Sequence, residues 1–591
     1  SRPLLNRYNA DMCRPGFLSR SVSCLLAALL AGTVLANDHS PAILITADQP
    51  ALTRNLEVML AVSNEFCDAD ASRKRLLERN LLRRATETAQ AVGYYQATFT
   101  LRFEQTADCW QVALDARAGE PVRLTEVNVT LVGDANADSA FAELIRQSEL
   151  KPGNVLRHND YQSLRNGLLR LASQRGYFDH QLRTHRLEVD PLQYSARATL
   201  VLDSGVRYRF GRFTLNQGVL DDDRALRYLR FKPGDFWDND LLLGSQQALL
   251  GSGYFTTARL ERGEADPVTR EVPATLHLTV RPRYAWTAGV GVSTDTGPRL
   301  RLGVENRYLN RRGHRWRADS EASALTRTVS SSYEIPFRDP VRDRIMLSTG
   351  YQYEDTESAE SEQLRLGASL ISGIGGGWVL TRSVDYEREN FTVADQTETS
   401  ELVMPGIQIQ KIRGNHPIYP RRGWKIGAAL RGTHPSISTT DEFLQARLWT
   451  KAIVPLGPSR LLVRVEAGQT AVTDVSTLPA TVRFFAGGDS SIRGFDYQTL
   501  GPTDANGDVV GGRSLLTGGI EIDFAVHERW QPAIFSDAGN AFNESDEMNL
   551  RVSAGAGLRW RSPLGPIRID VARPVDAARS WRLHLSMGPD L

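Results

Sequence analysis

The chain has 591 residues, a length that favours two or more domains over a single compact core. Its 70 Lys and Arg residues nearly balance its 69 Asp and Glu residues, giving a formal charge of +1 and no basic field of the kind that binds nucleic acid. The mean hydropathy of −0.32 is typical of soluble proteins. Membrane β-barrels have similar values because only alternate residues of their strands face lipid.

An apolar run near the N-terminus extends from Cys24 to Ala36 and is preceded by Arg14 and Arg20. It closes with Val34-Leu35-Ala36, so a basic segment, a short apolar segment and small residues follow one another. This pattern predicts a secretory signal peptide within residues 1–36, cleaved after Ala36. A short membrane anchor is the alternative, although the run is short for a bilayer span.

Cleavage would leave two of the four cysteines, Cys67 and Cys109. Export exposes this pair to an oxidising compartment, which predicts a disulfide that stabilises the fold by up to about 4 kcal/mol in the chain-entropy model. Two buried free thiols are the alternative. The Cys and His residues have no ligand spacing, so the sequence predicts no metal site and no cofactor. No motif of an enzyme, such as a Gly-x-Ser-x-Gly elbow, is present, so we expect no catalytic residues.

The first half of the chain contains a repeat with a period of about eighty residues, and such self-similarity indicates one structural unit used several times. The markers of the repeat are the aromatic elements Gly93-Tyr94-Tyr95, Gly176-Tyr177-Phe178 and Gly253-Tyr254-Phe255 and the turns Lys151-Pro152-Gly153 and Lys232-Pro233-Gly234. We interpret the aromatic residues as core positions rather than as a binding site.

Each unit has the same predicted order of elements, which the second unit illustrates. The predicted elements are a strand at Leu124–Leu131, a short helix at Ala140–Gln147, a longer helix at Asp160–Arg175 and two strands at Gln181–Val189 and Ala196–Leu202. The longer helix ends at or just before the glycine of the aromatic element, as a glycine after a helix C-terminus would dictate. The order β-α-α-β-β predicts a small sheet covered by two helices.

These units resemble POTRA domains, periplasmic modules that bind extended clients by adding strands to an open sheet edge. POTRA domains normally precede an outer-membrane barrel. We therefore expect POTRA 1 at residues 37–119, POTRA 2 at 120–204, POTRA 3 at 205–283 and a barrel at 284–591.

Strands with alternating residues are predicted throughout the second half, most clearly from Arg551 to Gly588. Apolar residues there alternate with small or charged ones such as Ser553, Gly555 and Arg559. Period two places the two sets on opposite faces of a strand. A soluble β-sandwich gives the same alternation, but a small and charged inner set is typical of a wet barrel lumen. The predicted fold is a transmembrane β-barrel of about sixteen antiparallel strands preceded by three α+β POTRA domains.

Two groups of residues indicate more than barrel wall. They are Arg493, Gly494 and Phe495 in the long connection 483–512, and Phe535, Asp537 and Gly539 on a later strand. The three wall residues share parity, so all of them would face the lumen. A loop arginine and a lumen aspartate can form a charge-assisted pair in a partly dry interior. A solvated loop and an ordinary wall carboxylate are the alternative, and the residues alone favour neither.

Together these groups resemble the signature of the outer-membrane assembly superfamily, whose members insert or translocate β-rich clients. The loop motif of that superfamily is Arg-Gly-Phe/Tyr and its wall motif is aromatic-x-Asp-x-Gly, both of which this chain has in the expected order. A third motif, Gly-x-Gly-x-Arg-aromatic-x-Ser-Pro-hydrophobic-Gly-Pro, matches residues 555–566. The resemblance implies an outer-membrane location with the POTRA domains in the periplasm, contact with outer-membrane lipid, and no nucleotide.

Within this superfamily, three POTRA units and the Gly-Pro-Asp-Leu sequence at 588–591 are similar to the TamA family, the outer-membrane subunits of the translocation and assembly module. This resemblance implies a TamB-like partner anchored in the inner membrane, and unfolded β-barrel proteins such as autotransporters as clients. The alternative is a two-partner secretion exporter, which passes an unfolded chain through the lumen. Such exporters have two POTRA units and a plug helix, a pattern that differs from this one.

The first and last strands must meet to close a barrel, and this seam is the predicted site of client entry. The predicted gate residues are Trp286, Gly289 and Gly291 on the first strand and Leu583, Leu585 and Met587 on the last. Glycines weaken a strand, so pairing at the seam should be short. A client strand could then satisfy the unpaired edges by augmentation.

Overall fold

The computed structural model describes residues 42–60, 67–106, 109–394, 396–439, 442–562, 565–575, 581–588 and 590. The predicted signal peptide and its cleavage position after Ala36 lie outside the described residues. Within the described part of the chain, no helix combines the length and the apolar character needed to cross a membrane. The described residues form two compact units, one with two small sheets and the other with a third small sheet and a sixteen-stranded sheet.

The three small sheets each belong to a group of elements in the order β-α-α-β-β, as predicted from the repeat. The first group is β1 (Ala42–Ala47), α1 (Pro50–Met59), α2 (Ala71–Ala91), β2 (Thr98–Gln105) and β3 (Trp110–Arg117). The second is β4 (Arg123–Val132), α3 (Ser139–Gln147), α4 (His158–Gln174), β5 (Gln181–Asp190) and β6 (Ser195–Asp203). The third is β7 (Arg209–Asn216), α5 (Asp222–Leu226), α6 (Asn239–Gly251), β8 (Phe255–Arg262) and β9 (Glu271–Val280).

In each small sheet the last strand lies in the middle, giving the orders β1-β3-β2, β4-β6-β5 and β7-β9-β8. The middle strand pairs in parallel with the first strand and antiparallel with the strand before it. Both outer strands of every sheet therefore have one edge that this pairing leaves open. Open edges of this kind can accept a further strand.

Of the six aromatic residues in the repeat markers, Tyr177, Tyr254 and Phe255 are buried core residues, as interpreted from the sequence, whereas Tyr94, Tyr95 and Phe178 are half-buried. Tyr177 is 1% exposed, and its ring makes an edge contact with Phe141 at 5.5 Å between centroids. Tyr254 and Phe255 are fully buried in the third group. Gly253 has φ +80°, a left-handed conformation that glycine adopts without strain as it ends α6.

A disulfide joins Cys67 to Cys109 in the first group, with 5.0 Å between their Cα atoms. Cys67 precedes α2, whose N-terminus is capped by Asp70 through a hydrogen bond from the Arg73 amide at 2.7 Å. Cys109 directly precedes Trp110, the first residue of the middle strand β3. The bond therefore ties the start of the longer helix to the centre of the sheet that it covers.

The large sheet has sixteen antiparallel strands among the described residues, so the predicted strand count is confirmed. They are β10 (Tyr284–Ser293), β11 (Gly297–Asn306), β12 (Arg315–Ala322), β13 (Thr326–Pro336), β14 (Arg344–Asp355), β15 (Ala359–Gly373), β16 (Trp378–Val393), β17 (Gln396–Gly414), β18 (Gly423–Thr433), β19 (Phe443–Leu456), β20 (Ser459–Val472), β21 (Ser514–Asp523), β22 (Trp530–Phe542), β23 (Arg551–Ser562), β24 (Gly565–Pro574) and β25 (Arg582–Met587). The last strand, predicted from Trp581, begins one residue later.

Each strand pairs with its neighbours in the chain, and the sheet curls until β10 and β25 lie side by side as a barrel. The faces alternate as the pattern predicts: Val290 is 79% exposed on the outer surface, whereas Arg559 is 2% exposed in the lumen. An apolar outer band and a polar interior are the properties of a membrane barrel.

Strands β16 and β17 depart from this pattern near the turn that joins them. Their apolar residues there, including Phe391 and Leu402, are buried in the lumen against Ala480 and Leu478 of the long connection. At these ends the alternation is inverted, with apolar residues facing inward and polar residues such as Arg388 facing outward. The lumen at this height is filled by packed apolar side chains.

The third small group packs against the barrel within the second compact unit. Arg311, in the turn between β11 and β12, pairs with Asp221 at 2.7 Å. The Tyr254 hydroxyl donates to the Gly313 carbonyl in the same turn. The Tyr308 hydroxyl donates to the Arg281 carbonyl at 3.0 Å. These bonds hold the third sheet directly beneath the first strands of the barrel.

Candidate functional site

The long connection between β20 and β21 folds into the lumen and packs there through its own apolar residues. The cluster contains Phe484, Ala486, Ile492, Phe495 and Leu500 from the connection and Leu515 and Ala541 from the wall, all buried. Short backbone bridges between Phe484 and Gly512, and between Ala486 and Leu500, satisfy polar groups inside the loop. The alternative of a solvated loop is wrong, because the loop has a packed core of its own.

The structure brings Arg493 and Asp537 together. Arg493 Nε donates to Asp537 Oδ2 at 2.7 Å, Nη2 donates to Oδ1 at 3.1 Å, and the Arg493 amide adds a third bond at 3.2 Å. Phe535 completes the contact, since the guanidinium carbon lies 3.4 Å from its ring centroid. A cation on an aromatic face and a bidentate carboxylate are both strong partners for arginine when water is excluded.

The remaining motif residues lie around this contact without touching the guanidinium. Phe495 is 3% exposed in the apolar cluster of the loop. The Gly494 amide donates to His584 Nε2 at 2.7 Å, so this residue reaches the last strand of the barrel. A Cβ on Gly539 would lie 2.4 Å from the Leu516 carbonyl oxygen, which shows how closely the two strands approach there.

Sequence reasoning missed two further carboxylates that bind Arg493. Its Nη1 contacts Glu521 at 2.7 Å and Asp570 at 3.1 Å. Arg559 also binds both of these acids, with 2.9 Å from its Nε to Glu521 Oε1. Asp537 likewise has a second partner, Arg464 Nη2, at 2.9 Å.

The formal charges of these three arginines and three acids cancel, and Arg559 also lies 3.7 Å from Asp523, which pairs with Arg460. Buried charges are costly unless they are paired and hydrogen-bonded. The strand parity of Glu521 and Asp570 predicts that they face the lumen, and this was the available signal. Parity shows which face of the wall a residue lies on, but not its position along the barrel axis. The cluster forms only because its residues lie at the same position along that axis.

The Gly-x-Gly of the third motif makes room for this cluster. A Cβ on Gly555 would lie 2.5 Å from Phe535 Cζ, and one on Gly557 would lie 1.7 Å from Asp570 Oδ1. Any side chain at either position would displace a partner of Arg493. The motif therefore supports the docked loop from the neighbouring strand β23.

The seam between β10 and β25 has few hydrogen bonds among the described residues. The Thr294 amide donates to the Leu585 carbonyl at 3.3 Å, and the Leu585 amide donates to Thr294 Oγ1 at 3.1 Å. Trp286, Gly289 and Gly291 lie further back along β10, where the described residues of β25 make no hydrogen bond to them. Pairing is therefore confined to one end of the first strand.

The other predicted gate residues lie on β25, where Leu583 is 57% exposed and Met587 is part-buried. The contact between Thr294 and Leu585 sets the register of the seam and places Gly291 opposite position 588. Leu585 lies beside Thr294, three residues further along, because β25 has only six residues and pairs with β24 at a height that sets it there.

Three side chains close to this end of the seam could hold a metal ion by distance alone. They are Asp295, Asp489 and His584, whose ligand atoms lie within 4.8 Å of one another. The sequence had predicted no metal site. Their atoms are already engaged in hydrogen bonds with one another and with the strands, so the grouping fits a polar contact between loop and seam.

A sixteen-stranded barrel with a loop docked in its lumen and small α+β units ahead of it defines a POTRA-bearing membrane β-barrel protein. A family model described as the Omp85 superfamily domain matches residues 249–588, and the chain therefore belongs to the Omp85 superfamily. A second model, described as POTRA domain TamA domain 1, matches residues 43–116. The protein lies in the outer membrane with its POTRA domains in the periplasm.

Curated relatives include the outer membrane protein assembly factor BamA of Nitratidesulfovibrio vulgaris, 24% identical over 62% of this chain and 49% of that protein. BamA of Neisseria meningitidis serogroup B is 21% identical over 76% of this chain and 64% of that protein. The chain thus spans about half to two thirds of these relatives. The crystal structure of BamA from Haemophilus ducreyi lacking POTRA domains 1–3 has a similar fold, with a TM-score of 0.66 at 15% identity over 79% of this chain and 99% of that one.

Proposed function

We propose that this protein inserts β-barrel proteins, autotransporters among them, into the outer membrane through a lateral gate at the seam between β10 and β25. The observation that carries the proposal is the short pairing at this seam, where Thr294 and Leu585 make the backbone contact. The rest of β10, back to Tyr284, has an edge without a strand partner among the described residues.

An unpaired strand edge is costly inside a bilayer because no water reaches its amide and carbonyl groups. A client strand that adds to β10 would satisfy those groups through main-chain hydrogen bonds, which need no particular client sequence. Successive client strands could then pair with one another and leave through the same opening. The free energy of client folding would drive the process without nucleotide.

The docked loop supports lateral insertion over passage through the lumen. Phe495 and its apolar neighbours fill the lumen near one end, and Arg493 holds them there through three buried carboxylates. Export of an unfolded chain would require this cluster to open, at a considerable electrostatic cost. A client that adds to the free edge of β10 does not have to pass through this cluster.

Crosslinking from three positions distinguishes the two routes. A photoreactive residue replaces Trp286 on the seam strand, Gln363 on the inner wall or Leu448 on the outer wall away from the seam, each in the full-length protein with a stalled client. Insertion through the gate requires adducts from position 286 that exceed those from 448, with few from 363. Adducts confined to position 363 would contradict the proposal and favour a two-partner secretion exporter.

We further propose that the protein is TamA-like and works with a TamB-like partner anchored in the inner membrane. The match of residues 43–116 to the POTRA domain TamA domain 1 supports this assignment. The proposed docking edge is the outer edge of β1, which among the described residues pairs with β3 alone and on which Leu44 is 58% exposed. Crosslinking from Leu44 should capture the partner in native membranes, whereas Thr100 on the opposite edge strand β2 should not. Equal capture from both positions, or from neither, would contradict this edge.

A further inference from the structure

The geometry points to Asp489 as a positioning residue that ties the lumen loop to both strands of the seam. Its Oδ2 accepts a hydrogen bond from Ser293 Oγ at 2.9 Å, and its Oδ1 accepts one from Thr294 Oγ1 at 2.9 Å. These two donors belong to the end of β10 and the turn that follows it. From the other side, His584 Nδ1 on β25 lies 2.6 Å from the same Oδ1.

The protonation state of His584 follows from its second contact. The Gly494 amide can only donate, so His584 Nε2 accepts that bond and Nδ1 carries the proton that is donated to Asp489. A metal ion on Nδ1 would need the lone pair that this proton occupies. Asp489, Ser293, Thr294 and His584 therefore form a hydrogen-bonded latch. The neutral imidazole of His584 lies between Asp489 and Gly494 of the loop.

Asp489 makes more hydrogen bonds at the seam than the backbones of the two strands make to each other. Among the described residues, one bond between backbones and one from the Leu585 amide to Thr294 Oγ1 join the two sides of the seam directly. Asp489 adds three bonds from side chains, two on the side of β10 and one on the side of β25. Hydrogen bonds to an ionised acceptor are stronger than those between neutral groups. The carboxylate is thus the main polar link across the described seam.

The latch and the Arg493 anchor lie four residues apart in the same short segment of the loop. Arg464 spans the segment between them, donating to the carbonyl groups of Ser490 and Ser491 while its guanidinium binds Asp537. A docked loop therefore places Asp489 at the seam, and withdrawal of the loop would remove it. This inference rests on the proposed function, because it assigns the loop as the element that sets the closed state of the gate.

Asp496 provides a matched comparison within the loop. It is also a loop carboxylate near the seam, and it pairs with Arg582 on β25. It has no bond to β10 among the described residues, so it contacts one strand of the seam where Asp489 contacts both. Loss of Asp496 should weaken loop contact with β25 without separating the strands.

The test measures seam closure directly in the full-length protein in membranes. Val292→Cys and Met587→Cys provide the reporter, since Val292 lies two residues before Thr294 and Met587 two residues after Leu585, which places them opposite each other on antiparallel strands. The rate of disulfide formation is measured from the linked peptides in the parent, Asp489→Asn, Asp489→Ala, Asp489→Glu, Ser293→Ala and Asp496→Asn backgrounds. Migration of unheated samples in gels checks that each barrel is folded.

We expect Asp489→Asn and Asp489→Ala to lower the rate of reporter crosslinking by about tenfold, the equivalent of about 1.4 kcal/mol. Ser293→Ala should lower it by a smaller factor, Asp496→Asn should leave it near the parent rate, and Asp489→Glu should restore part of the loss. An unchanged rate in folded Asp489→Asn overturns the latch, as does a parent rate that falls when divalent cations are chelated. Since the reporter needs no client, these outcomes are distinct from failure of client insertion.

Discussion

Arg493 and Asp537 form a bidentate ion pair, with Nε donating to Oδ2 at 2.7 Å and Nη2 to Oδ1 at 3.1 Å. The side chains are 7% and 0% exposed, so water contributes little to either group. A planar guanidinium satisfies two carboxylate oxygens at once and stacks on an aromatic ring, whereas an ammonium group does neither as well. Docking of the loop therefore depends on the shape of this side chain as well as on its charge.

Arg493→Ala should destabilise the docked loop by about 3 kcal/mol, because it leaves three buried carboxylates facing two arginines. Arg493→Lys keeps the charge but loses the planar guanidinium that binds two carboxylate oxygens at once, so we expect an intermediate loss of docked-loop stability. Client insertion should fall in both variants while the barrel stays in the membrane. Protease sensitivity of the loop and the rate of client insertion measure the two effects.

Arg483→Ala is the control for loop integrity. Arg483 is also buried in the loop, but its guanidinium binds the backbone carbonyls of Ser476, Leu478 and Val510 rather than the acid cluster. We expect a smaller loss of insertion than in Arg493→Ala. Full insertion activity of Arg493→Ala would refute a functional role for the docked loop.

Gly494→Ala should undock the loop for a backbone reason. Gly494 has φ +95°, and an added Cβ would lie 3.2 Å from the Arg573 carbonyl carbon and 3.3 Å from Ser553 Cβ. Gly507 has φ +93° but no atom within 4 Å of an added Cβ. Both substitutions introduce left-handed strain of about 1–2 kcal/mol, and crowding is added only at Gly494. Thermal unfolding and protease sensitivity should therefore change more in Gly494→Ala. Equal changes in both variants would mean that crowding contributes nothing.

Much of the fold could be predicted because both halves of the chain repeat a simple pattern. The period of the aromatic markers predicted three units of one order, and period two predicted a wall with an apolar outer face. The parity of Asp537 predicted a lumen carboxylate, and a loop arginine was its natural partner. Parity is a local property, and it holds wherever the wall has lipid on one side and lumen on the other.

The parts that were missed depend on contacts between strands that are distant in the chain. Glu521 and Asp570 lie on β21 and β24, and they converge on Arg493 only because of the stagger between those strands. Asp489 looked like an ordinary polar loop residue, since nothing local indicates that it reaches the first strand. At β16 and β17 the packed loop reverses the usual preference, so that apolar residues such as Leu402 face inward.

The disulfide between Cys67 and Cys109 should stabilise the first POTRA domain. It closes a loop of 42 residues, which corresponds to about 4 kcal/mol in the chain-entropy model. Thiol labelling of the denatured, unreduced protein should leave the peptides of both cysteines unlabelled. Cys67→Ser with Cys109→Ser should lower the unfolding temperature of the POTRA region and leave the barrel transition unchanged. Free labelling of both cysteines would contradict the bond.

Seam closure should increase as the pH falls from about 8 to 6. Burial, with the negative charge of Asp489, raises the pKa of Asp295 to about 7. Burial opposes ionisation of Asp489 too, but hydrogen bonds from His584, Ser293 and Thr294 hold its pKa below the ordinary value, so it stays charged. In an opened state Asp295 would have its ordinary, lower pKa. At pH values between that ordinary pKa and about 7, the docked state therefore binds one more proton than the opened state. Closure is lost as the pH rises through 7.

Spin labels at Val292→Cys and Met587→Cys can follow this change without the pH dependence of thiol oxidation. The closed population should decrease from pH 6 to pH 8, and Asp295→Asn should flatten the profile. Tyr497 also lies close to the charge of Asp295. Burial is the main cause that raises the pKa of Tyr497 to about 12, so this residue stays neutral across this pH range. A profile that Asp295→Asn does not alter would assign the titration to another group.

Locking the seam should stop client insertion reversibly. Sixteen strands alternate in direction, so β10 and β25 run antiparallel where Thr294 meets Leu585, and Val292 then faces Met587 on the outer surface. A disulfide between Val292→Cys and Met587→Cys keeps β10 and β25 from separating, so no client strand can be inserted between them, and insertion should return on reduction. The control is Leu448→Cys with Ala467→Cys, paired positions on β19 and β20 that stiffen the wall away from the seam. That barrel should insert clients normally in both redox states. If the oxidised seam variant also does so, the gate mechanism is wrong for this protein and the POTRA domains must carry the activity.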